Sequence, residues 1–296
     1  MSRSNILVAA LALSLAAAFA VRAQPKPAIE RFDIPNADTT IAWAINPAGD
    51  VVGATVSGSS VIHGYQRDKH GTVTAVDAVV PSCTSARGIS PSGDIVGFFQ
   101  TQTCGGTQSE MRKGAHGFVR SRNGTLEVVD VNLPGTLGTA VFGINPGGDL
   151  VGGYLDAANR IHGFLRQSGT ITTIDVPGAT LTTCRGINAK GEIVGRFDTH
   201  GFLRKTDGTF ETIDFPGATS TVVGAINPQG DIVGRFVVGG VVHGFMRKAG
   251  GQLVQFDVSG ATTTDATGIS PSGEIVGSVT ILEQGKSKTR GFIRSN

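Results

Sequence analysis

Five of the six histidines in this chain occur in one recurring phrase, His-Gly-Phe or His-Gly-Tyr with an arginine two residues further on. Each of these histidines is followed 13 or 14 residues later by an aspartate. Imidazole and carboxylate groups can together bind a metal ion or transfer protons, so this recurrence invites a catalytic or metal-binding interpretation. The pairs are His63 with Asp77, His116 with Asp130, His162 with Asp175, His200 with Asp214, and His243 with Asp257.

A structural interpretation of these pairs is stronger, because a group present in nearly every copy of a repeat usually serves the scaffold. A histidine that opens one strand and an aspartate that closes the next lie at the same end of an antiparallel pair, where their side chains meet. We therefore predict cross-strand contacts, such as His200 with Asp214, and no metal, cofactor or catalytic residue. The arginines of the same phrase are expected to pair with carboxylates such as Asp50 or Glu192. They are Arg67, Arg120, Arg166, Arg204, Arg247 and Arg294.

The elements that position these residues follow from a second phrase, Gly-Ile-Asn/Ser-x-x-Gly-Asp/Glu-x-Val-Gly with small departures, which recurs six times. Its central glycines suit tight hairpin turns, and each copy divides into four short strands. The turn glycines are Gly49, Gly93, Gly148, Gly191, Gly230 and Gly273. This pattern predicts an all-β, six-bladed propeller made of four-stranded antiparallel blades.

The two ends of the repeat region are offset from each other. Residues 29–35 match only the fourth strand of a unit, whereas residues 262–294 supply only strands one to three. The N-terminal strand should therefore complete the C-terminal sheet, a one-plus-three closure that leaves only short edges. Two β-trefoils of three units each are the alternative, but they would not explain the offset ends.

With these phrases the chain resembles the bacterial extracellular HAF-repeat proteins, over residues from about 31 to 294. Two copies depart from the motif: Tyr65 replaces Phe in the first, and Arg290 replaces His in the sixth. The resemblance implies export and a repetitive β fold. It implies no reaction, cofactor or substrate.

The N-terminus has the features of an export signal. Arg3 precedes an uncharged apolar run from Ile6 to Val21, and small residues lead to a cleavage site after Ala23. We expect residues 1–23 to be a signal peptide, 24–30 a short segment and 31–296 the propeller, in a secreted or periplasmic protein without stable membrane insertion. An uncleaved membrane anchor is the alternative, although sixteen residues are short for a bilayer.

Composition and missing motifs exclude several functions. The net charge is +2, so no bulk positive field gathers nucleic acid. Nucleophile elbows, zinc-protease motifs, phosphate-binding loops and calcium-loop motifs are all absent from the sequence. Of the three cysteines, Cys83 and Cys104 are the better disulfide pair, and Cys184 reads as a buried free thiol.

Length variation is confined to one loop in each unit. From each turn glycine to the next His-Gly-Phe position the distances are 14, 23, 14, 9, 13 and 17 residues. The loops 98–115, 278–289 and 54–62 should meet on one face, as adaptable binding loops or as tolerated insertions. The candidate binding residues are Thr101, Glu110, Arg112, Lys113, Glu283, Lys286 and Lys288.

The sequence thus favours a monomeric, non-catalytic binding module for an unknown protein or glycan, rather than an enzyme. The alternative is a propeller enzyme of the lyase or lactonase type with a polar site in the central channel. Trp43, the single tryptophan, is predicted to pack in the core.

Overall fold

The computed structural model describes residues 28–58, 61–78, 83–101 and 113–295, and its regular elements are all β-strands. Four sheets are separate four-stranded antiparallel meanders, and eight further strands form a fifth sheet. The separate sheets are β6 (Cys83–Ile89), β7 (Ile95–Gln100), β8 (Ala115–Arg120), β9 (Leu126–Val129); β10 (Gly138–Ile144), β11 (Leu150–Leu155), β12 (Ile161–Gln167), β13 (Thr170–Ile174); β14 (Thr182–Ile187), β15 (Ile193–Phe197), β16 (His200–Arg204), β17 (Phe210–Ile213); and β18 (Ser220–Ile226), β19 (Ile232–Val238), β20 (Val241–Arg247), β21 (Leu253–Phe256).

The eight-stranded sheet holds both ends of the repeat region. It contains two antiparallel meanders that are joined by one parallel bridge between Thr39 and Thr289. By hydrogen bonding there are four separate four-stranded sheets, whereas the sequence predicts six blades. The count is lower because this bridge joins two meanders into one sheet. The strands are β2 (Thr39–Ile45), β3 (Val51–Ser57), β4 (Val61–Arg67), β5 (Val73–Ala75), β22 (Thr263–Ile269), β23 (Ile275–Glu283), β24 (Lys286–Arg294) and β1 (Ile29–Phe32).

The first and last strands of the chain pair with each other, as the offset ends predict. β1 lies antiparallel to β24, with Ile29 opposite Arg294 and Phe32 opposite Gly291. β1 begins two residues before the predicted domain boundary at residue 31. β1 is thus the fourth strand of the C-terminal meander and covers the edge of its third strand, β24.

Recurring turns join the first and second strand of each meander. In the turn after β14, Asn188 Oδ1 accepts the backbone N–H groups of Lys190 and Glu192 at 3.0 Å each. Gly191 takes a φ of +86°, which suits a residue without a Cβ. The side chain of Asn188 thus satisfies backbone donors that the tight turn would otherwise leave unpaired.

The His-Gly-Phe phrase is explained by packing within a sheet. Phe202 lies opposite Gly195 in the neighbouring strand and is fully buried. A Cβ on Gly195 would stand 2.0 Å from the carbonyl oxygen of Thr183 and 3.0 Å from the Phe202 ring. The aromatic ring therefore occupies the space over a strand glycine, where no side chain fits.

Successive sheets pack face to face through apolar residues. Val96 of β7 lies in one buried cluster with Val141 of β10, Leu150 of β11 and Phe164 of β12. Strands buried on both faces need apolar residues on both sides, which is why little alternation is visible in their sequences. The core is a series of layers between sheets.

The first strands of the meanders form a closed ring. β2, β6, β10, β14, β18 and β22 contact one another in that order, and β22 contacts β2. The chain has an all-β propeller fold with four-stranded antiparallel blades around this ring. Within the described residues, no helix is long and apolar enough to cross a membrane.

Candidate functional site

The repeated histidines lie on the third strands and meet the aspartates that follow the fourth strands. We call these five contacts the outer pairs. Their separations between Nδ1 and a carboxylate oxygen are His63–Asp77 3.2 Å, His116–Asp130 2.8 Å, His162–Asp175 2.7 Å, His200–Asp214 2.7 Å and His243–Asp257 3.0 Å. The predicted contact between His200 and Asp214 is thus present. In the sixth copy Arg290 takes the place of histidine and bonds to Asp33.

The outer pairs are bridges within blades. In four of the five pairs the His ring also packs against an aromatic side chain of the second strand, with ring centres 5.0–5.4 Å apart. No group of three or more His, Cys, Asp or Glu that could hold a metal occurs among the described residues. Nothing in this geometry requires a ligand.

His162 differs from the other outer pairs because it has a second acidic neighbour. Its Nε2 lies 3.2 Å from Asp156, while its Nδ1 contacts Asp175. Partial burial lowers the pKa of His162, but hydrogen bonds with Asp175 and Asp156 outweigh it and raise that pKa above its usual value. The two acidic neighbours of His162 therefore favour its protonated form.

The predicted pairing of these arginines with carboxylates is present for three of them, but with partners other than Asp50 and Glu192. Arg67, Arg166 and Arg247 bond to Glu30, Glu127 and Glu211, which stand on the last strand of the preceding meander. Asp50 and Glu192 instead accept hydrogen bonds from the turn residues Asn46 and Asn188. The three ion pairs therefore join neighbouring blades. Arg120, Arg204 and Arg294 make no ion pair with any described residue.

The described members of the predicted binding set lie on or beside two hairpins that join second and third strands. We call this side of the ring the hairpin face. Thr101 follows β7, and Lys113 precedes β8. Glu110 and Arg112 lie outside the described residues.

In the other predicted loop, Glu283 and Lys286 end and begin the two strands of one hairpin. Glu283 contacts Arg290 Nη2 at 2.7 Å and Lys288 Nζ at 3.4 Å. The hydrogen bond from Arg290 lowers the pKa of Glu283. Glu283 is therefore engaged within its own hairpin.

The cysteines have two different states. Cys83 is disulfide-bonded, whereas Cys184 is free and fully buried. Burial raises the pKa of the Cys184 thiol and keeps it protonated. Cys104 lies outside the described residues, so its pairing with Cys83 stays a prediction.

A different set of side chains faces the ring axis. Every first strand carries a β-bulge at one position, where the pairing register shifts by one residue. A bulge redirects the extra residue's side chain away from the regular alternation. We call these six the axial residues: Trp43, Arg87, Phe142, Arg185, Gly224 and Thr267.

The axial residues all border one small cavity, the axial pocket. Arg235 from a second strand and Asp265 from a first strand complete its polar lining. The volume of this cavity is about 30 Å3. A second cavity continues along the axis and is lined by consecutive residues of all six first strands.

The axial pocket lies toward the hairpin face. Asp265 stands two residues from the beginning of β22, and Arg235 three residues from the end of β19. The beginnings of first strands and the ends of second strands share the side of the sheet opposite the Asn188-type turns. A ligand in the axial pocket would therefore be reached from the predicted loop face.

Aromatic rings hold the arginines of the axial pocket in place. The guanidinium carbon of Arg87 lies 3.7 Å from the centre of the Trp43 ring and 5.6 Å from that of Phe142. Phe98, also near Arg87 at 5.2 Å, packs edge to face on Phe142. Arg87 is only 6% exposed, so these contacts surround a buried cation.

One carboxylate shares the axial pocket with the arginines. Asp265 Oδ2 lies 2.5 Å from Arg235 Nη1. Trp43 Nε1, in its lining, and Ser278 Oγ are buried without a hydrogen-bond partner among the described residues. Ser278 stands opposite Asp265 in the sheet register. The surroundings of the pocket are rich in hydrogen-bond donors.

Sequence reasoning missed most of this site. Trp43 was expected in the core, but it is half-buried and borders the axial pocket. Arg87, Arg185 and Asp265 were not singled out at all. A signal was available, because the position before each Gly-Ile or Ala-Ile pair differs among the six copies while its neighbours repeat.

Comparison with known proteins supports the fold and no more. No protein-family model matches the chain, and no curated protein matches it. Among solved structures it is similar to the calcium-binding protein regucalcin from Agrobacterium tumefaciens, with a TM-score of 0.54 at 13% identity, covering 90% of this chain and 95% of that one.

Two further solved structures have comparable similarity. AofleA from Arthrobotrys oligospora gives a TM-score of 0.54 at 14% identity over 90% of this chain and 86% of that one. TolB from Acinetobacter baumannii gives a TM-score of 0.51 at 13% identity, over 88% of this chain and 65% of that one. These likenesses establish the fold class, since identity this low carries no functional information.

Proposed function

We propose that this protein is a non-catalytic binding module whose ligand is held in the axial pocket and enters from the hairpin face. The observation that carries this proposal is the variation of the axial residues. Six structurally equivalent bulge positions carry two arginines, two different aromatic residues, a threonine and a glycine. Function in repeat folds usually resides where copies depart from the consensus.

Binding is favoured over catalysis by the composition of the axial pocket. Among the described residues that line it, the one carboxylate is that of Asp265, and it is engaged by Arg235. The five histidines of the outer pairs are on third strands and do not line the pocket. Arginines and aromatic rings recognise ligands well but rarely act as proton-transfer groups.

The same proposal includes six blades. The eight-stranded sheet then represents two blades, β2–β5 and β22–β24 with β1, connected by the single bridge at Thr39. Support comes from the closed ring of six first strands and from the repeated turn phrase in each. One residue pair is a weak connection beside the long antiparallel ladders within each meander.

We also propose that residues 1–23 are removed and that the protein is exported as a secreted or periplasmic monomer. Membership of the HAF-repeat family rests on the repeated phrases alone. The partner class in the sequence interpretation is a protein or a glycan.

Thermal-shift screening of the purified protein against organic acids, neutral glycans and short peptides tests the binding role. A ligand of the native state should raise the melting temperature. The increase should be lost in Arg185→Gln but kept in Arg122→Gln, which changes an exposed arginine on the side of the ring opposite the hairpin face. If no compound stabilises the protein, or if both variants keep the full response, the axial pocket is not a ligand site.

A lyase-type enzyme is the second candidate, and the presence of Asp265 beside arginines in the axial pocket favours it. Arginines could stabilise an anionic intermediate while a carboxylate accepts a proton. Asp265→Asn would then abolish turnover of a bound acid while leaving its binding intact. Turnover by this variant at the wild-type rate would exclude the enzyme candidate.

A further inference from the structure

A separate polar cavity lies on the side of the ring that carries the Asn188-type turns, between the meander β2–β5 and the neighbouring sheet β6–β9. We call it the turn-face pocket. Asp50 and Gln66 line it from the meander, and Arg120 lines it from the sheet. Its volume is about 190 Å3, and it shares no described lining residue with the axial pocket.

Arg120 lacks the partner that its counterparts in three other copies have. Arg67, Arg166 and Arg247 each bond to a glutamate on the last strand of the preceding blade. That glutamate stands three residues before the repeated aspartate, and Thr74 occupies this position in the blade that precedes Arg120. The Arg120 side chain makes no hydrogen bond, ion pair or ring contact within the described ranges. The place that a carboxylate fills in those copies is therefore open here.

The carboxylate in the same lining does not fill that place. Asp50 Oδ2 accepts a hydrogen bond from Asn46 Nδ2 at 3.1 Å, within the turn between β2 and β3. No ion pair joins Asp50 to Arg120, although both line the cavity. Asp50 is thus part of a turn and leaves the guanidinium group of Arg120 available.

Gln66 is a second departure from the repeat at this pocket. The residue between the aromatic ring and the arginine of the His-Gly-Phe phrase is apolar in the other five copies and packs there in the clusters between sheets. These residues are Val119, Leu165, Leu203, Met246 and Ile293. Gln66 is half-buried, and its amide makes no hydrogen bond with the described part of the chain. A polar group that gives up apolar packing without gaining a partner does not stabilise the fold.

The two departures together leave hydrogen-bond donors along one cavity. The guanidinium fork of Arg120 matches the two oxygens of a carboxylate, and the Gln66 amide offers further N–H groups. Gln66 lies opposite Thr74 in the sheet register, so both departures occur at the same place between two blades. The equivalent arginines show which chemistry this position accepts, because each of them holds a carboxylate.

Size and charge restrict the acid. A volume of about 190 Å3 corresponds to roughly six water-sized groups at about 30 Å3 each. Asp50 is the one carboxylate among the described residues of the lining, and a second negative charge on the ligand would be repelled by it. A small acid with a single carboxylate meets both limits, whereas a phosphate dianion does not meet the second.

We propose that the turn-face pocket binds a small monocarboxylic acid, whose carboxylate takes the place beside Arg120 that a glutamate side chain takes in three other copies. This site goes beyond the proposed function, since it lies apart from the axial pocket.

Sodium propionate is a direct probe of the turn-face pocket. It is titrated into the purified protein at constant ionic strength while saturation-transfer NMR follows its methyl signal. Saturable transfer is expected for propionate and not for propionamide, which has the same shape without the charge. Sodium phosphate should not displace propionate. Equal binding of propionamide, displacement by phosphate at the same concentration, or no saturable transfer to propionate would overturn the proposal.

Two variants locate the binding of propionate. Arg120→Gln should weaken it about tenfold, because the guanidinium group is removed. Thr74→Glu should weaken it about threefold, since the new carboxylate can pair with Arg120 as Glu127 pairs with Arg166. Wild-type affinity in both variants would contradict the proposal.

Arg204→Gln is the matched control. Arg204 also lacks an ion pair within the described residues, and Thr172 stands where Thr74 stands in the other copy, but Leu165 takes the place of Gln66. Propionate should bind Arg204→Gln as it binds the wild type, and an equal loss in this variant would show that the effect is not specific to the turn-face pocket.

Folding of each variant is checked by circular dichroism. If Arg120→Gln does not fold, Thr74→Glu decides, because residue 74 is exposed. The two proposals fail separately: a negative result with propionate leaves the axial pocket as the proposed ligand site, and a negative thermal-shift screen of Arg185→Gln against the wild type leaves the turn-face pocket unaffected.

Discussion

The outer pairs and the axial residues are both polar sets built on the same repeat, yet they are under opposite constraints. The outer pairs keep the same two residue types in five copies, whereas the axial residues differ from blade to blade. His200 and Asp214 have side chains 46% and 43% exposed, but Arg87 is almost fully buried. Burying a cation is costly unless its surroundings compensate, and the rings of Trp43, Phe98 and Phe142 lie around Arg87. The outer pairs are thus a contact that the blades share, whereas the bulge positions differ between copies without changing the blade.

The largest expected effect comes from removing a repeated aromatic residue. Phe202→Ala should lower the free energy of unfolding by about 3–5 kcal/mol, because it empties a fully buried site over Gly195. Denaturant unfolding measures this. Val254→Ala, at a residue 57% exposed, should change it by less than about 0.5 kcal/mol. A loss below about 1 kcal/mol for Phe202→Ala would show that the repeat phrase is not needed for packing.

A smaller effect is expected when the ion pair of the axial pocket is broken. Asp265→Asn removes the carboxylate that Arg235 contacts, so the free energy of unfolding should fall by about 1–2 kcal/mol in denaturant unfolding, because both side chains are partly buried. Asp257→Asn, in a more exposed outer pair, should lower it by about 1 kcal/mol or less. An unchanged free energy of unfolding for Asp265→Asn would show that this ion pair does not support the fold.

Exchange of an outer pair should matter less. The sixth copy already uses Arg290 with Asp33, so His200→Arg should change the free energy of unfolding by no more than about 0.5 kcal/mol. His200→Leu should cost about 0.5–1 kcal/mol, because the exposed pair with Asp214 is lost. If His200→Leu abolished ligand binding while the protein stayed folded, the outer pairs would have a functional role.

The smallest effect concerns pH. The raised pKa of His162 means that protonation stabilises the fold. This contribution is complete below the unfolded value near 6.5 and is lost as the pH rises through the folded pKa.

The wild type should therefore have a higher melting temperature than His162→Gln. This difference should be larger at acidic than at alkaline pH by on the order of 1–2 °C. Scanning calorimetry of both proteins across this range is the measurement. Asp156→Asn, which removes the second acid, should reduce the pH dependence. A pH-independent difference between wild type and His162→Gln would contradict the assignment.

Much of the fold was predictable because its rules are local. Turn glycines such as Gly191 and the alternation of strands are encoded in consecutive residues, and the contact between His200 and Asp214 follows from antiparallel register. The partner of Arg247 was mispredicted because Glu211 belongs to another sheet. Contacts between sheets depend on how blades stack, which no spacing within one copy reveals.

By itself the amino-acid sequence determined the repeating unit, the ends that must pair and the residues each blade needs, since hairpins form between neighbours in the chain. Only the tertiary structure decided that Trp43, Arg87 and Asp265 line one pocket. These residues come from three different first strands, β2, β6 and β22, and their approach depends on closure of the ring of first strands. The physical reason is that a bulge turns one side chain per strand toward the axis, and the axis exists only when the ring is complete.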